Sequence, residues 1–448
     1  MPDLLILGAG LTGLSTACHS AIPHLICDQN GRPGGHTRSE RIDGFTFDYG
    51  PHILYPKNPS TGELIRRALG DNLLIQGREA WVYHLCQDLY TRFPFQNHLH
   101  GLSRQVVKDC LMGVFEAHLE KKEEPPGNYG EWVERTFGKG IARHLYVPYS
   151  EKLWTVPLET MNYEWIGRRV PLANVEEILD GALAETSHRF GYNAEFWYPK
   201  EGGIEELPKA LAKGAGEMRF GKRVARVIPS ARRVIFEDGE SMEYGVLVST
   251  IPLPAFVPMV EGAPVQVKLA ASRLEHNSIL CVNLGVAREA ISKFHWVYFY
   301  ENAFGFHRLS FPMNFNASTA PAGCSSISTE IAYSRHRPID RAGIVERTVA
   351  ELTRAKILLP DDRIVASQVL DIPYAYVIYD LDHRKNTDTV RSWLIEQGIL
   401  PFGRYGEWEY FNMAHSIESG MRAAALAASP RAPGGQAPAL PPARPAAV

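Results

Sequence analysis

The hexapeptide Gly8-Ala9-Gly10-Leu11-Thr12-Gly13 follows directly on the apolar run Leu4-Leu5-Ile6-Leu7. Twenty residues after Gly8, a second apolar run, His24-Leu25-Ile26-Cys27, ends on Asp28. Strand, glycine turn, helix, strand and acid in that order specify a parallel βαβ unit of the kind that holds a dinucleotide. Gly8 makes the turn, Gly10 lets backbone N–H groups approach a pyrophosphate, and Gly13 lets helix and strand pack closely. The helix opening near Leu11 directs roughly half a positive charge at the phosphates. Thr12 sits in that first turn, and Asp28 is expected to accept hydrogen bonds from the adenosine ribose.

A chain of 448 residues is long enough for roughly two or three domains, each with its own core. A formal net charge of −3 leaves no basic footprint, which argues against nucleic acid as a partner. The cysteines (Cys18, Cys27, Cys86, Cys110, Cys281 and Cys324) are scattered, with no CxxC and no His/Cys cluster. That spacing argues against a metal site and suits a reducing cytoplasm. No apolar stretch approaches the ~18–20 residues needed to span a bilayer, so no membrane association is expected. The N-terminus lacks the features of a signal peptide. Residues 429–448, rich in Pro, Ala and Gly, read as a disordered tail.

Periodicity predicts a strand at Phe45–Tyr49, a short helix over 60–69 and two strands flanking Gln87-Asp88. Residues 102–189 are mainly helical, with Val106, Val107, Cys110, Leu111, Val114, Phe115 and Leu119 at helical spacing. Lys222–Ile235 alternates as a hairpin turning near Pro229-Ser230. Strands are expected at 246–250, 279–285, 296–300, 307–311, 326–333 and 364–370. A helix is expected over 340–355, a turn at Gly403–Gly406 and a closing helix over 415–427.

The residues after Asp28 narrow the cofactor. The loop Arg32-Pro33-Gly34-Gly35-His36-Thr37-Arg38 resembles the one that passes the flavin in the FAD-binding amine-oxidase superfamily. Pro199-Lys200-Glu201-Gly202-Gly203-Ile204 resembles its internal glycine turn, and Gly403-Arg404-Tyr405-Gly406 with the helix behind it resembles its second FAD segment. Within that superfamily the chain is similar to the UDP-galactopyranose mutases, especially the eukaryotic type. The segments carrying the likeness are Tyr49-Gly50-Pro51-His52-Ile53, Phe93-Pro94-Phe95-Gln96-Asn97, Pro148 through Trp154 continuing to Trp165–Val170, and Trp296-Val297-Tyr298 with Arg308 twelve residues after Trp296. Gly403 to Tyr410 completes it, and the match runs in order from residue 3 to about 425. The sequence departs at Phe93, where an aromatic hydroxyl is usual, at Ser150, which replaces an asparagine, and at Ala414, where an acid often sits.

The resemblance implies an α/β fold: a Rossmann-type, glutathione-reductase-like FAD-binding domain with inserted helical and antiparallel β-sheet domains. The FAD-binding domain is expected to be discontinuous over 1–78, 194–255 and 398–428. The helical substrate domain is expected over 100–193, and the β-sheet substrate domain over 79–99 and 256–397. Cofactor contacts are expected from Gly34, Gly35, His36 and Thr37, and from Arg404, Asn412, Met413 and Ser416. The implied reaction is pyranose–furanose interconversion of a nucleotide sugar through an adduct between reduced-flavin N5 and the anomeric carbon. NAD(P)H would serve as reductant.

His52, Arg169 and Arg308 are the residues expected at the chemistry. A diphosphate requires cations and hydroxyl donors converging from separate segments, and guanidinium forks pair bidentately with its oxygens. Arg169 and Arg308 fit that role, whereas Arg168 reads as a surface residue. Tyr298, Tyr376, Tyr410 and Asn193 are the hydrogen-bonding candidates, with Tyr374 and Tyr379 open as alternatives to Tyr376. Phe95 and Gln96 read equally as uracil contacts and as core and strand-edge residues. Trp154 reads nearly as well as plain core as it does as a substrate contact. Two rival functions remain on these residues: a flavin oxidase or desaturase, and a flavin-binding protein without turnover.

Overall fold

The computed structural model describes residues 1–120, 123–167, 170–172, 174–186 and 194–429. The strand Leu4–Leu7 lies at the centre of a five-stranded parallel sheet, between Val246–Ser249 and His24–Cys27. Ile399–Pro401 and Met218–Arg219 form its edges. Leu4, Leu5 and Ile6 are fully buried, as expected of a parallel strand covered on both faces and therefore apolar throughout. The helices Leu11–Cys18 and Met413–Ala427 pack on each other. The nucleotide-type unit is therefore assembled from both ends of the chain.

A second, seven-stranded sheet runs in the order Ile364–Val377, His276–Val286, Ser325–Tyr333, Arg308–Ser310, Trp296–Phe299, Ala80–His84 and Leu89–Arg92. Its pairings are antiparallel except that of Trp296–Phe299 with Ala80–His84. The helical portion comprises Arg104–Leu119 and Tyr129–Ile141, followed without a break by the π-helical turn Ala142–Tyr146 and the helix Val147–Trp154.

The structure differs from expectation at several elements. The strand expected to end at Leu370 continues to Val377. Pro373 marks a stop in sequence, but here it occupies an edge strand opposite a register shift between Asn277 and Ile279, where a missing N–H costs no ladder bond. Helix His383–Glu396 was not expected at all; its inward face is partly polar, with His383, Asn386, Thr387 and Arg391 buried. Gly403–Gly406 forms a short helical turn. The last helix begins at Met413, two residues early, because the Asn412 side chain accepts from the His415 N–H at 2.9 Å and caps it. Among the described residues, no helix is long and apolar enough to cross a membrane.

Candidate functional site

A cavity of about 880 Å³ is lined at once by the glycine turn, by Asp28, and by residues of the helical portion and the seven-stranded sheet. Gly8, Gly10, Thr12 and Asp28 line its dinucleotide end. The Asp28 carboxylate accepts from Ala9 N–H at 2.7 Å and from Asn30 N–H at 2.7 Å, which holds it at the strand end. Gly13 does not line the cavity; a Cβ there would fall 1.9 Å from the Gly8 carbonyl oxygen, so its part is to let the helix close on the turn. Gly34 N–H donates to Ala9 O at 2.8 Å, bringing Gly34, Gly35, His36 and Thr37 to the cavity wall beside Gly10. Asn412, Met413 and Ser416 line the same cavity from the N-terminus of the last helix. Two helix N-termini thus face one space, an arrangement that stabilises anionic groups.

Between these helices and the β-sheet wall stand His36, His52 and Arg404. His52 Nδ1 donates to Gly50 O at 3.1 Å, so Nδ1 carries the proton and Nε2 keeps its lone pair. Burial first, and then the charges of Arg404 and Arg308, push the His52 pKa down to about 4. Burial likewise lowers that of His36 to about 3, with contributions from His52 and Arg404. Both rings are neutral near pH 7. The Arg404 guanidinium donates to Ala375 O at 2.6 Å and to Phe411 O, and lies over the Tyr376 and Tyr410 rings, 5.2 Å from each centroid. Its Nε, like that of Arg38, is buried without a hydrogen-bond partner. Unpartnered donors beside a glycine-built cradle and paired helix N-termini fit a bound dinucleotide carrying an acceptor-rich ring system.

Arg308 enters from the sheet. Its Nη2 donates to Glu330 Oε1 at 2.9 Å and reaches the Tyr376 hydroxyl at 3.5 Å, while Nε donates to Glu330 Oε2. Burial opposes its charge, but the Glu330 carboxylate outweighs burial and its pKa is raised well above the ordinary arginine value. Trp154, Tyr298, Tyr376 and Tyr410 line the cavity with it. Trp154 is 5.8 Å, ring to ring, from both Tyr376 and Tyr410, and Tyr298 is 4.9 Å from Phe93 and 5.3 Å from Tyr149. Tyr376 is the tyrosine of its register that faces Arg308. Tyr374 also lines the cavity, whereas Tyr379 is turned to the buried Glu409.

Phe95 and Gln96 do not line the cavity. Phe95 is 1% exposed, with its ring 5.7 Å from that of His84. Gln96 is fully buried, donating to Pro171 O at 2.6 Å and accepting from the Tyr146 hydroxyl at 3.1 Å. Arg169 and Asn193, with Arg168 and residues 430–448 of the expected tail, lie outside the described residues. Of the departures, Phe93 lines the cavity and Ser150 shares a hydrogen bond with Tyr129 at 3.2 Å. Ala414 is buried and does not line the cavity. Sequence reasoning missed Glu330, although a lone acid within the otherwise uncharged strand Ser325–Tyr333 was a visible sign of a buried partner. It also missed Tyr149 and Arg38 as lining residues, which their segments did not distinguish from neighbours.

A model of the family described as flavin containing amine oxidoreductase matches residues 11–428. The chain belongs to that family. FAD is accordingly its cofactor, and the glycine cradle is where it fits. The crystal structure of a reduced UDP-galactopyranose mutase superposes with a TM-score of 0.89 at 27% identity, covering 95% of each chain. The 4,4'-diapolycopene oxygenase of Methylomonas sp is 26% identical over 384 residues, 72% of this chain and 74% of that protein. The UDP-galactopyranose mutase of Mycoplasma pneumoniae is 24% identical over 208 residues, 43% of this chain and 51% of that protein. A putative protoporphyrinogen oxidase from Exiguobacterium sp. 255-15 shares the fold at a TM-score of 0.70 and 16% identity. The chain is thus a mutase-like flavoprotein of the amine-oxidase superfamily.

Proposed function

We propose that the chain is a flavin-dependent nucleotide-sugar mutase that interconverts pyranose and furanose forms, of the UDP-galactopyranose type. The observation that carries this reading is the cavity itself. Arg308, Arg404 and the hydroxyls of Tyr298, Tyr376 and Tyr410 converge there against the cofactor cradle. When bound and reduced, the flavin supplies the nucleophile toward the anomeric carbon. The protein holds the diphosphate through Arg308 and, in this reading, Arg169. Tyr298, Tyr376, Tyr410 and Asn193 hydrogen-bond phosphate and sugar, and Trp154 closes the aromatic wall. His52, neutral and protonated on Nδ1, offers Nε2 as an acceptor beside the flavin. Phe95 is packing behind the wall, not a nucleobase contact, and Gln96 bears on the nucleobase only through the Tyr146 hydroxyl it accepts from.

The domain assignment belongs to the same proposal: cofactor binding over 1–78, 194–255 and 398–428, with substrate carried by 100–193 and by 79–99 with 256–397. So do reduction by NAD(P)H and a reducing, cytoplasmic setting, in keeping with free cysteines. The test is to incubate dithionite-reduced protein with UDP-galactopyranose and to look for the furanose isomer, which oxidised protein should not form. The second reading is an FAD-dependent oxidoreductase of the amine-oxidase, protoporphyrinogen-oxidase or desaturase type that oxidises a small organic substrate, favoured by the likeness to the diapolycopene oxygenase over most of both chains. Steady flavin turnover to hydrogen peroxide with such a substrate, and no UDP binding, would select it.

A further inference from the structure

The Arg308–Glu330 pair has a geometry that nothing in the proposed reaction requires of a simple surface ion pair. The two residues are directly opposite on adjacent antiparallel strands, so their side chains rise from the same face of the sheet. Glu330 takes Nε and one Nη of the guanidinium, a bidentate grip on one edge. Both residues line the cavity, but the Arg308 side chain keeps 18% exposure and that of Glu330 only 4%, so the guanidinium is the more accessible of the two. On its other side Glu330 is opposite the fully buried Cys281. The loop ahead of His52 closes over it: Gly50 has φ +81°, and a Cβ there would stand 3.3 Å from Glu330 Oε1. The carboxylate is therefore fixed by the sheet and covered by the loop, and the guanidinium plane is fixed by the carboxylate.

We infer that Glu330 is the positioning residue for Arg308, holding one edge of the fork so that the other edge is presented to a diphosphate. This rests on the reading of the cavity as a nucleoside-diphosphate site. A guanidinium free to swing on its three-carbon stem would lose rotamer entropy on each binding event; one already pinned has lost it in folding. Glu330 touches neither substrate nor reacting atoms in this role.

The experiment measures UDP binding to the FAD-loaded, oxidised protein by calorimetry, and KM and kcat of the reduced enzyme for UDP-galactopyranose. Glu330→Gln puts an amide N–H against a guanidinium N–H, and is expected to raise the UDP Kd and the KM at least about tenfold, with kcat changed less than about threefold. Glu330→Asp keeps the charge, one methylene further back, and is expected to fall between wild type and Gln. In an Arg308→Ala background the same Glu330→Gln change is expected to leave the Kd unaltered, because its effect passes through Arg308. A Glu330→Gln Kd equal to or tighter than wild type overturns the inference, as does an equal effect of that change with and without Arg308. If Glu330→Gln does not fold, the Asp variant decides: a wild-type Kd and KM overturn the inference. Absence of UDP binding to wild type overturns the proposed function together with this inference, whereas wild-type binding with any of the preceding results overturns this inference alone.

Discussion

Thr12 Oγ1 donates to the carbonyl oxygen of Ser416 at 2.9 Å, across 404 residues of sequence. Beside it, Ser15 Oγ donates to Ile417 O at 2.7 Å. These bonds lock the first helix against the last, and the two N-termini they align both face the cavity. The cofactor cradle is therefore a product of chain closure, and its integrity depends on residues from both ends.

Gly403 tests that closure. Its φ is +84°, and a Cβ would lie 2.7 Å from Thr12 Oγ1. Gly403→Ala combines backbone strain of about 1–3 kcal/mol with displacement of Thr12. The purified variant should show a reduced flavin-to-protein absorbance ratio and a lower unfolding midpoint. Full flavin occupancy at wild-type stability would contradict the packing described.

Arg308→Ala should raise the KM for a nucleotide sugar strongly, by about tenfold or more for the loss of a charge-assisted pair, while leaving flavin bound. It should also destabilise the protein, because Glu330 is then buried without its cation. A wild-type KM in a folded Arg308→Ala protein would remove Arg308 from the substrate site.

Acid should destabilise the fold in a defined window. His52 titrates at about 4 in the folded protein and His36 at about 3, against an ordinary value near 6.5. Between those values the unfolded chain binds more protons than the folded one. The stability is fully present above about pH 6.5 and is lost as pH falls toward 4, by about 3 kcal/mol for His52. Asp48, whose pKa burial raises to about 6, acts in the opposite sense, so Asp48→Asn should steepen the acid loss. Unfolding midpoints measured from pH 8 to 4.5 should fall on acidification, and His52→Gln should flatten part of that fall. A His52→Gln midpoint that falls with pH as steeply as that of wild type would mean the fold does not hold this imidazole neutral.

Gln96 separates a buried brace from a direct base contact. Gln96→Leu removes the bonds to Tyr146 and Pro171, and should cost about 1–3 kcal/mol in urea unfolding. Tyr146 lines the cavity, so UDP affinity should fall with it. Tyr146→Phe, which keeps the ring and removes the hydroxyl, should reproduce the affinity loss if Gln96 acts through that hydroxyl. Undiminished affinity in Tyr146→Phe alongside a loss in Gln96→Leu would favour direct contact by Gln96.

The nucleotide-type unit was legible because its information is local. A buried parallel strand reads as an unbroken apolar run, and the turn behind it needs glycines at set spacings. The Tyr376 register was ambiguous in sequence because Tyr374, Tyr376 and Tyr379 are chemically alike. The bulge at Pro373 decides which ring meets Arg308. Gln96 carried the opposite problem: a polar residue in a suitable segment looks like a ligand contact until its amide is found already engaged.

Residues near one another in the chain determined the glycine turn, the acid at the second strand end and the strands that carry Tyr298 and Arg308. Local hydrogen bonding, glycine geometry and apolar periodicity are written into short stretches of sequence. Tertiary structure alone decided that Glu330 grips Arg308, that Thr12 meets Ser416, and that Gln96 turns inward. Each of those pairs depends on which distant strands and helices become neighbours, and a buried charge or amide takes whichever partner the fold then brings within reach.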